Sequence, residues 1–391
     1  MIFKIKFSIL NIFAFYICIC CCVNVKKPNN INNENELVMH VDISKVKVFD
    51  LNDFRNEYIS TINYIHLETT DESLIGEIEK VYLHENNIII FDKKTERILL
   101  FNQDGKFIRQ IGKRGQGPDE YNILNDIYFD DLSGLIYAHE RIYNTIFIYN
   151  LEGIIVEKIK PNFRFNSFCK TKDGFWLYTC FKYNNPNGYN LMLVDLSMKT
   201  MLGGYFQQHP NFVNVEFKTR FRLDSEGISY FTYPTSNCIF KLDSVTPVVS
   251  YKIDFGNKTA PYEKLANLDS SEEYEKLMEN DYFKLGDCTF WNNIFIFSFS
   301  ESSLYKPRPL FTAHYNKKES KLDIYRGYKN TKEMPTNNIV SVSGKALIYS
   351  IFPFELDADH LEYIDKQIDK KLDEEDNPIL IICYPKIQNL Y

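Results

Sequence analysis

The stretch IGKRGQGPDEY, Ile111–Tyr121, gathers the residue types best able to do chemistry: Gly112, Gly115 and Gly117, the adjacent cations Lys113 and Arg114, and a Gly-Pro pair. Glycine lets backbone N–H groups approach an anion closely, and cations add charge to such a cradle. The order, however, is G-x-x-G-x-G-P. A phosphate-binding P-loop needs GxxxxGK[ST], with its Lys and hydroxyl for phosphate and magnesium. A dinucleotide fingerprint needs G-x-G-x-x-G opening a helix after a strand. Here YNILNDIYFD follows, a run of strand type. The glycines therefore serve a chain crossing, in which Pro118 fixes one φ. Lys113 and Arg114 are not needed by such a crossing. They are either a solvated cation pair or a rim site for an anionic ligand such as a glycan acid.

The other candidates are sparser. His139, Glu140 and Arg141 place a base, an acid and a cation in succession. They are either a solvated loop or, with Lys113 and Arg114, part of a ligand-binding set. No GxSxG or HExxH occurs, and no acid run has the alternation of a calcium loop. Cys169, Cys180, Cys238, Cys288 and Cys383 include no CxxC pair, so neither a metal site nor a redox motif is expected. They read as buried small hydrophobes, with Cys169–Cys180 as the pair to consider for a disulfide. Trp176, Trp291, Tyr183 and Tyr189 can stack on sugar rings, although core packing is the simpler reading. We expect no catalytic residue, no metal and no cofactor.

Bulk properties narrow the class. The net charge of −7 argues against a nucleic-acid binder. The 27 Tyr and 31 Phe favour pleated, half-buried surfaces and hence β-structure. The N-terminus MIFKIKFSILNIFAFYICICCC carries Lys4 and Lys6, then an apolar run from Phe7 to about Ile19. That is the charged and hydrophobic grammar of a secretory signal, and it is short for a membrane-spanning helix. It ends in Cys18, Cys20, Cys21 and Cys22. An apolar run closing on Cys resembles a bacterial lipoprotein signal, over residues 1–22, with Cys22 the best lipidation site and Cys21 its rival. An uncleaved anchor or an unlipidated secretory peptide are the alternatives. Each places the mature chain outside the cytoplasm, in the cell envelope, periplasmic or associated with the outer membrane. Residues 23–57 are Asn-rich and read as a polar tether, with ordered structure expected from about Tyr58.

The rest of the chain, 58–391, repeats itself. In residues 78–112 short apolar runs alternate with turn residues: VYLH, IIIF, RILLF and KFIRQI, split by ENN, DKKTE and NQDG. That is a four-stranded meander with a hairpin signal at Asp104-Gly105. Residues 125–160 have the same grammar, and Phe101, Gly105 and Ile111 recur as Tyr149, Gly153 and Ile159. Four strands per repeat of this length is the pattern of propeller blades. Weaker copies run over 168–206, 221–255 and 288–327, and a last one opens at Asn337, giving six units. The last lacks a fourth strand, while Ile59–Glu68 is a strand without a partner. Pairing the two closes the ring. Segments 261–285 and 357–376 have helical composition, the second with Leu361, Ile364, Ile368 and Leu372 on one stripe. The expected fold is all-β, a six-bladed β-propeller closed by an N-terminal strand pairing in the last blade, with two helical insertions.

YIHLETTDESLIGEIEKVYLHENNIIIFDKKTERILLFNQDGKFIRQIGKRGQGPDEY (64–121) and the closing DNPILIICYPK (376–386) carry a family resemblance. The chain resembles the six-bladed β-propeller lipoproteins of Bacteroidetes, which are similar in blade design to NHL-type propellers. The family pattern usually has Gly where this chain has Asp119. The resemblance implies fold and envelope location, and no reaction. Propeller topology puts the Asp92–Arg97 and Ala138–Asn144 loops, the 111–121 crossing and both helical insertions on one face. We expect that loop-rich face to bind an unknown protein, peptide or glycan, with membrane contact through the lipid anchor. The leading expectation is a non-catalytic, envelope-anchored binding module. The alternative is a propeller hydrolase or lyase acting on a glycan or peptide, with His or carboxylate groups converging at the channel mouth.

Overall fold

The computed structural model describes residues 36–180, 188–207, 221–233, 236–261, 271–279, 282–301 and 310–386. Their strands form six small sheets arranged in a ring, a six-bladed β-propeller. Blades I to V begin with the innermost strands Ile78–His84, Leu124–Asp130, Ser167–Thr171, Phe221–Leu223 and Phe283–Trp291. Each then steps outward through three more antiparallel strands. Blade VI is built from Ile339–Ser343, Ala346–Ile351 and Ile379–Pro385, and its fourth strand is Ile59–His66 from the other end of the chain.

The repeat read in the sequence is a repeat of turn chemistry. Gly105 and Gly153 sit at φ +80° and +81°, a conformation that glycine adopts without steric cost. The side-chain oxygens of Asn102 and Asn150 accept from the Lys106 and Ile154 amides at 2.9 and 2.8 Å. Asp92 caps the second connection of blade I by accepting from the Gly76, Glu77 and Lys94 amides. Glu140 does the same in blade II for the Ile142 and Tyr143 amides.

The cores lie between blades, and they account for the aromatic composition. Tyr230 of blade IV stacks on Phe290 of blade V at 3.9 Å, and Phe290 on Phe295 at 4.6 Å. Trp176 and Trp291 are both buried, so neither offers a face to a sugar. Tyr189 is also buried, and Tyr183 lies outside the described residues.

Two expectations need correction. Ordered structure begins well before Tyr58, inside the segment read as a tether. Leu37–His40 pairs in parallel with the outer strand Val248–Asp254 of blade IV, and Lys47–Asp50 with the outer strand Lys321–Lys329 of blade V. Helix α1 (Leu51–Tyr58), N-capped by Asp50, then leads into the closing strand of blade VI. Only Met39, Val41, Phe49, Leu51 and Phe54 are buried here. Four-residue strands with one inward side chain each are too short to show a period. The remainder of the expected tether and the signal with Cys22 lie outside the described residues.

The first helical insertion ends earlier than its composition suggests, and its residues 262–270 lie outside the described residues. Helix α2 spans Ser271–Met278, and from Phe283 the chain is already blade V. Helix α3 (Ala358–Ile368) starts at Asp357, whose side chain caps the His360 amide at 2.9 Å. It lays Ile364 into the blade VI core, with Leu361, Ile368 and Leu372 packed beside it. Cys169 and Cys180 are not joined by a disulfide, and neither are Cys238, Cys288 and Cys383. Among the described residues, no helix is long and apolar enough to cross a membrane.

Candidate functional site

The glycine-rich crossing joins blades I and II and folds around a carboxylate of its own. The Glu120 side chain accepts from the Gly117 amide at 2.9 Å and pairs with Lys113 Nζ at 3.0 Å. The Gly117 amide first, then Lys113, hold the Glu120 carboxyl below its ordinary range. A Cβ at Gly115 would fall on that carboxylate, which explains the glycine. Main-chain bonds Gly115 N–Tyr121 O and Tyr121 N–Lys113 O close the loop at 2.9 and 3.0 Å. The cradle is real, and Glu120 fills it. Arg114, more than half exposed, lies 3.7 Å from Glu96.

His139 is not a loop residue. It ends the strand Leu135–Glu140, is buried, and stacks on Phe165 at 4.0 Å. Its Nε2 lies 3.3 Å from Asn144 Oδ1, and Nδ1 has no partner among the described residues. Burial holds its pKa down at about 3, so it is a neutral imidazole in the wall of blade II. Arg141 is half-buried just beyond it, its amide donating to Ile123 O. His139 and Glu140 are both buried at the end of this strand, so HER does not form an exposed cluster. The Glu140 carboxylate is taken up by the Ile142 and Tyr143 amides.

The structure draws attention elsewhere, to the axis of the ring. Middle positions of all six innermost strands line a partly open cavity of about 100 Å³. Its walls are Lys80 and Tyr82 of blade I, Tyr128 of blade II, Phe168 and Cys169 of blade III, Arg222 of blade IV, Asp287 and Thr289 of blade V and 339–342 of blade VI. Innermost strands expose one backbone edge to the axis, and unpaired edge groups are costly. Neighbouring blades supply the missing partners. Lys80 Nζ donates to Ile127 O at 2.7 Å, Ser341 Oγ to Val81 O at 2.7 Å, and the Leu83 amide to Ser343 Oγ at 2.9 Å.

Charge on the axis is paired. Lys80 Nζ lies 2.6 Å from Asp126 Oδ1, and the other oxygen of Asp126 accepts from the Phe168 amide at 3.1 Å. One carboxylate thus ties blades I, II and III together. Arg222 of blade IV reaches Asp287 of blade V at 3.2 Å. Lys93 lies 3.6 Å from Glu79, next to Lys80 on the first strand.

These surroundings shift proton affinities in one sense for most groups. Burial lowers the affinity of Lys80, but the Asp126 charge, Tyr82 and the hydrogen bond to Asp126 outweigh it, and its pKa is raised. Burial raises the phenols of Tyr82 and Tyr128 and pushes the Cys169 thiol up to about 12. Glu79 is also raised by burial, against the pull of Lys93. Among the described residues, no three His, Cys, Asp or Glu side chains converge as a metal site would require.

The charged axial residues escaped notice in the sequence because each sits in a short polar pair, Glu79-Lys80 or Asn125-Asp126, at the start of an otherwise apolar strand. Lys80 in IEKVYLH and Asp126 in LNDIYFD were the available signal: a charge at the third position of a blade's first strand.

Known proteins share this architecture. A protein of Bacteroides fragilis NCTC 9343 described as exported superposes with a TM-score of 0.65 at 14% identity, over 90% of this chain and 100% of its own. A DUF4221 family member from Bacteroides vulgatus ATCC 8482 superposes at 0.54 and 10% identity, over 85% of this chain and 99% of its own. Both show the shared fold. Among curated proteins, none matches this sequence. The domain of unknown function DUF4934 matches residues 34–384, and the chain therefore belongs to the DUF4934 family.

Proposed function

We propose that the protein is a non-catalytic binding module of the cell envelope whose ligand enters the axial cavity. The observation that carries this reading is the direction of the axial proton affinities. Catalytic groups are tuned toward the working pH, with thiols and phenols lowered for attack and lysines lowered to act as bases. Here the Lys80, Tyr82, Tyr128 and Cys169 affinities all move the other way. The ammonium, the phenols and the thiol are kept in the forms that donate hydrogen bonds, which suits recognition. Lys113, Arg114 and Arg141 are proposed as outer contacts on the loop-rich face.

Envelope location and the lipid anchor at Cys22 rest on the N-terminal sequence. The description of the Bacteroides fragilis structure as exported agrees with the location. Replacing Cys22 by Ser should abolish labelling by an alkyne fatty acid and release the protein from membranes. Unchanged membrane partition would refute the anchor.

One observation favours the second reading, a hydrolase or lyase. Burial raises Glu79, as a general acid requires. A single screen separates the two. Purified protein is tested for ligand-induced thermal shift with peptide, glycan and small-molecule panels, and each hit is recovered and analysed by mass spectrometry. A hit recovered unchanged supports the binding module. Conversion that is lost in Glu79→Gln establishes the enzyme, and the absence of any hit refutes the binding reading.

A further inference from the structure

We infer that the axial cavity takes a neutral polyhydroxylated ligand of about the size of one sugar ring, in preference to an anion or a cation. The inference rests on the binding reading above and names its ligand class. Charge balance is the first argument. Among the described residues, each charge of the lining has a counter-charge, Lys80 in Asp126 and Arg222 in Asp287, and beside the cavity Lys93 pairs with Glu79. A net anion would compete with Asp126 for Lys80 and with Asp287 for Arg222, and a cation would compete with Lys80 and Arg222 for the two carboxylates. The penalty is greatest at Lys80–Asp126, which is withdrawn from solvent, because a buried charge that loses its partner is strongly penalised.

Unused hydrogen-bonding capacity is the second argument. Arg222 donates one N–H to Asp287, which leaves the rest of its five donors for a ligand. The hydroxyls of Tyr128 and Thr289, both half-buried in the lining, have no hydrogen-bond partner among the described residues. A hydroxyl both donates and accepts, so a polyol can slot between Arg222 and Asp287 without changing the net charge. The phenols of Tyr82 and Tyr128, on adjacent blades, add aromatic surface beside these polar groups. The cavity of about 100 Å³ holds several waters, and their hydrogen bonds are what a ring of hydroxyls would take over.

The test uses saturation-transfer NMR and calorimetry on the purified full chain. The probes are glucose, galactose, mannose and N-acetylglucosamine, set against glucuronate, galacturonate and glucosamine, with a tripeptide library as a separate arm. We expect at least one neutral sugar to bind, with its uronate and amino counterparts about tenfold weaker. Arg222→Met and Tyr128→Ala should each weaken that sugar about tenfold. Thr289→Val, which keeps side-chain shape, should weaken it with an unchanged thermal melt, which guards against a folding artefact. Tighter binding of the uronate overturns the inference, as does sugar binding that survives Arg222→Met and Thr289→Val. Peptide binding alone, lost in Arg222→Met, overturns the sugar class and leaves the binding module standing. Silence in every arm overturns both.

Discussion

Asp126 is the residue on which the inner ring most depends. It is 2% exposed, carries the counter-charge of Lys80, and accepts the Phe168 amide of the next blade. Asp126→Asn preserves shape but leaves a buried ammonium without its counter-ion. Breaking a buried pair from one side typically costs about 3–5 kcal/mol. We expect that range, because both partners are largely withdrawn from solvent. Lys80→Met should cost a similar amount, since it leaves a buried carboxylate. The double variant should cost much less than the sum, with a coupling of about 2 kcal/mol. Urea unfolding followed by the fluorescence of the buried Trp176 and Trp291 gives all three values. The folded-state pKa of Lys80 is raised above 10.5, so its contribution is complete below that pH. It is lost only as pH rises through the folded value. An Asp126→Asn cost under about 1 kcal/mol, the range of surface pairs, would refute the reasoning, as would additive single effects.

Three further outcomes are expected. Gly112→Ala should destabilise by about 2 kcal/mol in urea, because it forces φ +71° on alanine and drives its Cβ to 2.7 Å from the Tyr149 hydroxyl. Gly117→Ala, whose Cβ meets only the flexible Glu120 side chain, should cost far less. His139 and His314 are both buried, with pKa held down at about 3 by burial. The unfolded chain takes up their protons first, so stability should fall as pH drops from about 6.5 toward 3, at about 1.4 kcal/mol per unit for each histidine. His139→Asn should flatten that slope. Phe49, buried and 4.5 Å from the His314 ring, holds the second N-terminal strand against blade V, so Phe49→Ala should cost about 3 kcal/mol and lower the melting temperature.

The fold was largely legible because propeller blades obey local rules. Turn residues such as Asn102 and Gly105 repeat as Asn150 and Gly153, and apolar runs between them are long enough to count. Ring closure was legible by elimination, since Ile59–Glu68 and the last unit each lacked a partner. Strands Leu37–His40 and Lys47–Asp50 were not, because their partners lie far along the chain and only Met39 and Phe49 of these strands turn inward. The glycine-rich loop was correctly read as a crossing, but its filling by Glu120 depends on side-chain reach that spacing alone does not show. His139 misled because a neighbouring Glu and Arg mimic an exposed cluster at the end of an inward-facing strand. The axial pairs belong to residues brought together from different blades. Arg222 meets Asp287 across 65 positions, and no local pattern announces such a meeting.

The N-terminal strap also sets an order of events in time. His40 joins Asp254 across 214 positions, Lys47 joins Asp323 across 276, and Ser60 joins Tyr384 across 324. A chain emerging N-terminus first therefore holds three strands in waiting while the first three blades form from local hairpins. Contacts of such separation are slow to form, and unpaired strands are open to wrong partners in the interval. Because the last partner, Ile379–Pro385, is the final described strand, a chain cut short before it leaves Ile59–His66 without its ladder. The closure thus ties protection of the Ile59–His66 edge to synthesis of its partner strand, and an interrupted product keeps an open edge that other chains can pair with.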